Sequence, residues 1–479
     1  MQGREEPRLE RSIGLTRVVF QSVATMAPAA SVVFGLGFVI LFAGPATPFS
    51  MLVGACGALL IAFCLKELAR HISSAGGIYS FTATALGDYV GFLVGWAYSV
   101  LYVLLICLVA ISFSLVGTDF LDFYLGLSVP EWVLSVILVG FTTTMTFLGI
   151  RPSTALTATL ATLEVGLLLI IALLLIVRAG GDNTLALFDP RNAAGVEGGT
   201  LRAVFLGIVF AFSLVSGFEG SLPLAEEAKD PRRMVPRAVL LASGGIGLFY
   251  VIASYAAVLG WGQGQLGTFI ESPNPWREMA NDIGGFFGFL VVLAILNSQI
   301  AAMQALFNAT SRVLYAMSRN RLLPAAVSRI HPRTNTPYIA AALTAVIALG
   351  GTFLAKAWFN GAFPAYTFFL TTLTIIFISI YAIVCVAAAA FYLRRMRSEF
   401  DPLSHLLVPA LALGILAPTL YYSVRGLSDP ANLAIPAVLV WTGIGAVVLA
   451  FLVNRGVDIS AEGQRWLLQE NRDEPSVQP

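Results

Sequence analysis

Two stretches of the sequence place helix-breaking residues inside long apolar runs. In the first stretch the residues are Met26, Ala27, Pro28, Ala29, Ala30 and Ser31, and in the second they are Ser213, Ser216, Gly217 and Phe218. Where a helix stops, its last carbonyls and the first amides of the next segment lack partners within the helix. Such amides favour an anionic group, and such carbonyls favour a cation such as an ammonium. The two stretches therefore predict a site for a zwitterion such as an amino acid, unless Pro28 only kinks a helix and Gly217 only permits close packing.

Two carboxylates lie in similarly apolar surroundings. Glu219 follows the second stretch directly, and Glu164 lies within another apolar run. An ionisable residue deep in a membrane span costs at least roughly 2.5–3.5 kcal/mol and is a functional candidate. We predict that Glu219 and Glu164 exchange a proton or bind a cation. The structural alternatives are a protonated carboxyl group that caps the break at Glu219 and a buried hydrogen-bond partner at Glu164.

The composition indicates that lipid surrounds these residues. Of the 479 residues, 57% are hydrophobic and 11% are charged, whereas ordinary soluble domains have roughly 25% charged residues. The apolar runs are continuous rather than alternating, which favours membrane-spanning helices over barrel strands. The formal net charge of +1 gives no indication of nucleic-acid binding. We predict an all-α integral membrane protein.

The chain contains twelve apolar segments of spanning length, at residues 17–42, 49–69, 88–117, 130–150, 155–177, 201–224, 237–260, 283–317, 338–355, 365–393, 405–424 and 433–453. The two breaks fall in the first and sixth segments, about 190 residues apart. Paired interrupted helices in corresponding positions are typical of an inverted-repeat transporter site. We predict a first inverted repeat of five helices at 17–200, a second at 201–393, and two extra helices at 394–455. Three side chains of other spans extend the predicted site: Tyr98 and Tyr102 on the third, and Asn297 on the eighth.

The distribution of basic residues predicts the orientation. If the N-terminus is cytoplasmic, six of the 28 Lys and Arg residues lie outside and twenty-two lie inside. Cytoplasmic loops of membrane proteins carry an excess of basic residues. We therefore predict cytoplasmic tails at 1–16 and 456–479, in a protein of the cytoplasmic (plasma) membrane. No short apolar region with a cleavage site precedes the first span, so we expect that span to be retained.

Three loop regions carry recognisable motifs. The first contains ELA at 67–69, SAGGIY at 74–79 and GDYVGF at 87–92. The second contains SGFE at 216–219 and AEEAKDPRR at 225–233. The third contains SRVLYAMSR at 311–319, LLP at 322–324 and TPY at 336–338. In this order and with twelve spans, the sequence resembles the amino acid–polyamine–organocation transporters, a superfamily with the LeuT-type five-plus-five fold.

The resemblance implies roles for individual residues. Similar transporters use an aromatic gate at the sixth span, for which Phe212 and Phe218 are the candidates, and the position of Glu219 suggests coupling or substrate sensing. The sequence departs from the family pattern twice. The first span of the family usually breaks at a Gly-Ser-Gly-like triplet, which the run 28–30 replaces with Pro-Ala-Ala. Several proton-coupled members carry a lysine in the fifth span, where this chain has Glu164.

The leading functional prediction is a permease that moves an amino acid by alternating access, coupled to protons or another ion or driven by exchange, without a cofactor or metal. A polyamine or organic-cation importer is the runner-up, because Glu164 and Glu219 supply negative charge. A nutrient-sensing receptor without net transport is a third possibility. A membrane enzyme is disfavoured, because the three histidines His71, His331 and His405 lie near loops and form no acid–base or metal set. The sequence contains no Walker-type phosphate-binding loop, which argues against an ATP-driven pump.

Overall fold

The computed structural model describes residues 9–193, 199–272 and 274–456. Residues 1–8 and 457–479 of the two expected tails lie outside the described ranges. The helices used below are α1 (Leu15–Thr25), α2 (Leu36–Ala43), α3 (Thr47–His71), α4 (Ile78–Leu86), α5 (Asp88–Leu125), α6 (Glu131–Phe147), α7 (Ile150–Ala179), α8 (Thr200–Val215), α9 (Pro231–Trp261), α10 (Leu266–Glu271), α11 (Pro275–Ile283), α12 (Gly285–Arg319), α13 (Tyr338–Trp358), α14 (Ala362–Arg394), α15 (Val408–Ser423) and α16 (Ala434–Asn454).

Ten segments of the described chain are long and apolar enough to cross a membrane. One of them, Leu15–His71, has 57 residues and contains α1, α2 and α3, while α6 has only 17 residues. Between α1 and α2 the chain forms one α-helical turn at Pro28–Ala30 and a π-helical turn at Ser31–Gly35. The expectation of an all-helical membrane protein is therefore confirmed.

The helices pack in two groups. In the first group α9 contacts α1, α3 and α8, and α3 also contacts α8. In the second group α5, α6, α12 and α13 contact one another. Helices α7 and α14 contact members of both groups. The apolar side chains of helix α16 are exposed or half-buried apart from Ala434, as expected for a helix that faces lipid.

Helix α12 runs through the centre of the molecule. It has 35 residues, and every side chain from 301 to 318 is buried. The long third and eighth spans that the sequence predicts correspond to α5 and α12, which have 38 and 35 residues. Both exceed the roughly 20 residues that suffice to cross a bilayer, so they reach beyond it or cross it at a tilt.

Candidate functional site

The first helix break lies between α1 and the turn that begins with Pro28. Ala27 has a left-handed backbone conformation with φ of 48°, which residues with a Cβ rarely adopt. Pro28 favours the next helical turn because its ring fixes φ. The carbonyl of Met26 accepts hydrogen bonds from the hydroxyls of Tyr250 and Ser31, both at 2.8 Å. Side chains therefore complete the hydrogen bonding that the helix leaves open at this point.

The second helix break follows α8 and depends on Gly217. Gly217 has φ of 106°, and glycine adopts this region without steric cost. A Cβ at this position would lie 3.0 Å from the carbonyl oxygen of Thr25 at the end of α1. The chain then continues as a 3-10 helix over Phe218–Glu227. Gly217 thus provides both the break and the close contact between the two breaks.

Buried hydrogen bonds hold the two breaks together. The hydroxyls of Ser22 and Ser221 lie 2.8 Å apart, and the amide of Ser221 donates to the Ser22 hydroxyl at 3.1 Å. The side-chain amide of Gln21 donates to the carbonyl of Ala305 in α12 at 2.8 Å. Because such bonds are strong in a medium of low polarity, they fix both breaks relative to each other and to α12.

The amides of the first break are engaged within the protein. Pro28 has no N–H, and the N–H of Ala30 donates to the hydroxyl of Ser298 at 3.2 Å. The amide of Ala29 faces the carboxylate of Glu164, which also lies beside the Ser298 hydroxyl. Glu164 is buried, and neither of its carboxyl oxygens makes a hydrogen bond of ordinary geometry with a described residue. The acidic group that faces the Ala29 amide is thus a carboxyl group of the protein itself.

Glu219 belongs to the second break and is fully buried. Its Oε2 accepts hydrogen bonds from the amide of Gly217 at 3.1 Å and from the hydroxyl of Tyr381 at 2.7 Å. Its Oε1 has no hydrogen-bond partner among the described residues. Phe218 stacks on the ring of Tyr381 with ring centroids 5.3 Å apart, and Phe212 packs edge-on against the same ring with centroids 6.1 Å apart. Aromatic rings therefore enclose this carboxylate.

A cavity of about 90 Å³ lies between the two breaks. Six residues of the predicted site line it, namely Met26, Ala27, Ala30, Ser31, Ser213 and Ser216. The other described lining residues are Thr25, Phe34, Gly35, Leu105, Leu108, Val109, Ser112, Leu214, Gln299, Leu306, Tyr366, Leu370, Leu373, Thr374 and Phe377. Within this described lining no side chain is charged, so the cavity suits a solute with an apolar portion.

The remaining predicted site residues are not part of the described lining, namely Pro28, Ala29, Tyr98, Tyr102, Phe212, Gly217, Phe218 and Asn297. The hydroxyls of Tyr98 and Tyr102 lie 2.6 Å apart. The side-chain amide of Asn297 donates to the carbonyl of Leu160 at 2.7 Å and so joins α12 to α7. Neither Glu164 nor Glu219 is part of the described lining.

Helices α5 and α14 contribute lining residues that the sequence reasoning missed. These are Leu105, Leu108, Val109 and Ser112 on α5, and Leu370, Leu373, Thr374 and Phe377 on α14. Each set follows the spacing of three and four residues that places side chains on one face of a helix. The spacing alone could not reveal the sets, because both helices are apolar around their whole circumference.

A second, larger cavity of about 460 Å³ lies on the side where α2 and α5 end. It includes the charged residues Asp119 and Glu271, and Asp119 pairs with Arg277 at 3.5 Å. Phe34 and Tyr366 border both cavities, with ring centroids 6.2 Å apart. These two rings partition the central cavity from the larger one, which we call the vestibule.

The opposite side, where α1 begins, is closed by buried ionic and backbone contacts. The guanidinium of Arg312 donates two hydrogen bonds to the carboxylate of Glu227, both at 3.0 Å, and each side chain is 1% exposed. The amides of Ser12 and Ile13 donate to the carbonyl of Glu227 at 2.8 and 3.1 Å. The N-terminal segment thus packs directly on the end of the second break.

Comparison with known proteins identifies the class to which this fold and site belong. The family model described as amino acid permease matches residues 17–461. The chain belongs to this family, which is part of the amino acid–polyamine–organocation superfamily. A solved structure, the manganese transporter of Eremococcus coleocola, aligns with 97% of this chain and 99% of its own at a TM-score of 0.56. At 12% identity this similarity shows the LeuT-type fold alone.

Curated relatives include transporters of different solutes. The branched-chain amino acid permease BcaP of Bacillus subtilis is 25% identical over 70% of this chain and 73% of its own. The low-affinity putrescine importer PlaP of Escherichia coli is also 25% identical, over 92% of this chain and 93% of its own. The methylthioribose transporter of Bacillus subtilis is 24% identical over 64% of this chain and 67% of its own.

Proposed function

We propose that the protein is a secondary active transporter that moves an amino acid across the plasma membrane by alternating access. In this proposal twelve spans form two five-helix inverted repeats, at 17–200 and 201–393, with two extra helices at 394–455. The observation that carries the proposal is the meeting of two helix breaks at one cavity whose described lining has no charged side chain. A zwitterion brings no net charge into such a cavity, so hydrogen-bond donors and helix-end carbonyls can hold its two ends.

The second break supplies the group that would bind the ammonium of the substrate. Helix α8 ends at Val215, and the next free amide, that of Gly217, turns to Glu219 instead of continuing the helix. The carbonyls at this end of α8 therefore lack their usual helical donors, and the helix dipole places negative potential there. Ser213 and Ser216 line the cavity at this point. An ammonium would bind against this helix end, and the apolar faces of α5 and α14 would contact the rest of the substrate.

A polyamine or organic-cation importer is the second candidate. The match to the putrescine importer extends over 92% of this chain, and a buried carboxyl group lies at each helix break, Glu164 at the first and Glu219 at the second. A diamine would need a counter-charge at both ends. Because neither carboxylate belongs to the described lining, we favour the amino acid.

Coupling to protons would use the two buried carboxylates. Glu219 is bonded to the break itself through Gly217, so a change in its protonation would alter the hydrogen bonds that shape the substrate site. Glu164 faces the first break through Ala29. Exchange of one amino acid for another is the alternative energy source.

Alternating access would move the group of α1, α3, α8 and α9 against the group of α5, α6, α12 and α13. With both termini in the cytoplasm, the vestibule faces the outside and the Arg312–Glu227 contact closes the inside. The Phe34–Tyr366 partition would be the outer gate, and opening to the cytoplasm would require the Arg312–Glu227 pair to separate.

The test is uptake into proteoliposomes of labelled L-amino acids and of putrescine, with and without an inward proton gradient. We expect wild-type protein to take up one amino acid or a few, and Glu219→Gln to lose about tenfold or more of gradient-driven uptake, the scale of a lost hydrogen bond to a charged group. Glu278→Gln, an exposed residue of α11, is the control and should match the wild type. Uptake of putrescine alone would favour the importer of polyamines, and no uptake of any solute would contradict both proposals.

A further inference from the structure

Gln299 presents unused hydrogen-bonding groups to the central cavity. It lies on α12, is fully buried and lines the cavity. Neither its Nε2 nor its Oε1 has a hydrogen-bond partner among the described residues. Buried side-chain amides are nearly always bonded, because removing such a group from water without compensation is unfavourable. A cavity-facing amide without a partner therefore indicates a partner that the chain itself does not provide.

The backbone donors that could hold a carboxylate at the first break are occupied. The amide of Met26 donates to Ser22 and Val23 carbonyls at 3.2 Å, and that of Ala27 donates to the Ala24 carbonyl at 3.0 Å. The next two amides, at positions 29 and 30, face Glu164 and Ser298 as described above. Each described amide of the first break therefore already donates to, or faces, a group of the protein.

The hydroxyl of Tyr366 has no hydrogen bond to a described residue, but the serine and threonine hydroxyls that line the cavity are occupied as donors. Each donates to a backbone carbonyl of its own span, and this holds for Ser31, Ser112, Ser213, Ser216 and Thr374. An ionised carboxylate accepts hydrogen bonds only. In a cavity whose described lining has no cation, neutral N–H or O–H donors must hold it.

We propose that the side-chain amide of Gln299 binds the carboxylate of the substrate, in place of the backbone amides that Pro28, Glu164 and Ser298 have removed from use. Its two N–H donors suit a carboxylate. Gln299 lines the cavity and is next in sequence to Ser298, which accepts from Ala30 of the first break. The cavity wall near it is apolar, through Leu306 and the lining faces of α5 and α14. The substrate class is therefore a neutral amino acid with an apolar side chain. This inference rests on the proposed function as an amino acid transporter.

The test compares amino acids with the amines that lack only the carboxyl group. Binding to purified protein is measured for L-leucine and 3-methylbutan-1-amine, for L-valine and 2-methylpropan-1-amine, and for L-alanine and ethylamine. Gln299→Glu keeps the shape of the side chain but replaces the donors with an anion. We expect the wild type to bind the amino acid more tightly than the amine in at least one pair. Gln299→Glu should weaken binding of that amino acid about tenfold or more and leave binding of its amine unweakened.

A matched control separates recognition from folding. Gln304 is also buried on α12, but it donates to the hydroxyl of Thr146 at 2.9 Å and is not part of the described lining. Gln299→Met should lose the preference for the amino acid, whereas Gln304→Met should retain it even if its unfolding temperature falls. The pair keeps the test decisive if Gln299→Glu fails to fold.

The outcomes distinguish this inference from the proposed function. If the wild type binds an amino acid and both Gln299→Glu and Gln299→Met bind it equally well, the role of Gln299 is overturned. The proposed function would then remain intact. If a Gln299 variant weakens binding of an amino acid and of its amine equally, the role of Gln299 is also overturned, because Gln299 would then not recognise the carboxylate. Wild-type binding of amines alone would overturn the proposed function and this inference together.

Discussion

The two helix breaks have the same geometric role but are built differently. In the second break Gly217 supplies the turn and Glu219, two residues later, accepts its amide, while Tyr381 of α14 donates to the same carboxyl oxygen. The first break has no glycine and is completed from other helices, by Glu164 of α7 and Ser298 of α12. The difference indicates that the second break is the fixed part of the site, while the first depends on how α7 and α12 lie against it.

The largest expected effect comes from Gly217→Ala. The new Cβ would meet the carbonyl of Thr25 at 3.0 Å, and alanine at positive φ destabilises by more than about 1 kcal/mol. We expect uptake to fall to the level of liposomes without protein and the unfolding temperature to decrease. Gly166→Ala is the control, because a Cβ there has no heavy atom within 4 Å. Normal uptake by Gly217→Ala would show that the breaks need not touch.

Glu164→Gln should have a smaller effect than Glu219→Gln. The new side-chain amide would keep an oxygen for the N–H of Ala29, and Glu164 makes no hydrogen bond of ordinary geometry with a described residue. We expect uptake to fall about three- to tenfold, the scale of one neutral hydrogen bond, with the response to a proton gradient reduced less than in Glu219→Gln. If Glu164→Gln abolished that response while Glu219→Gln kept it, coupling would belong to the first break.

The extent to which sequence predicts this molecule also differs between its regions. Pro28 and Gly217 mark the breaks in sequence because both residues have a direct effect on the backbone. The cavity faces of α5 and α14 carry no such mark, since a helix that is apolar on all sides gives no period to read. Asn297 and Gln299 are two polar residues of one helix, and sequence alone cannot tell that the first bonds to Leu160 while the second faces the cavity.

Ala27→Gly should have the smallest effect. Ala27 is left-handed with φ of 48°, which glycine adopts without strain, but glycine also increases the entropy of the unfolded chain by a similar amount, about 0.4–1 kcal/mol. We expect the unfolding temperature to change little and uptake to remain within about twofold of wild type. A strong loss of uptake would mean that the strained alanine itself takes part in the transport cycle.

The most direct test of the account is a cryo-electron microscopy structure of the wild-type protein with the amino acid that it transports best. We predict density in the central cavity, with the ammonium at the end of α8 beside Ser213 and Ser216 and the carboxylate next to Gln299. Density only in the vestibule, beyond the Phe34–Tyr366 partition, or a carboxylate bound to the amides of the first break, would contradict it.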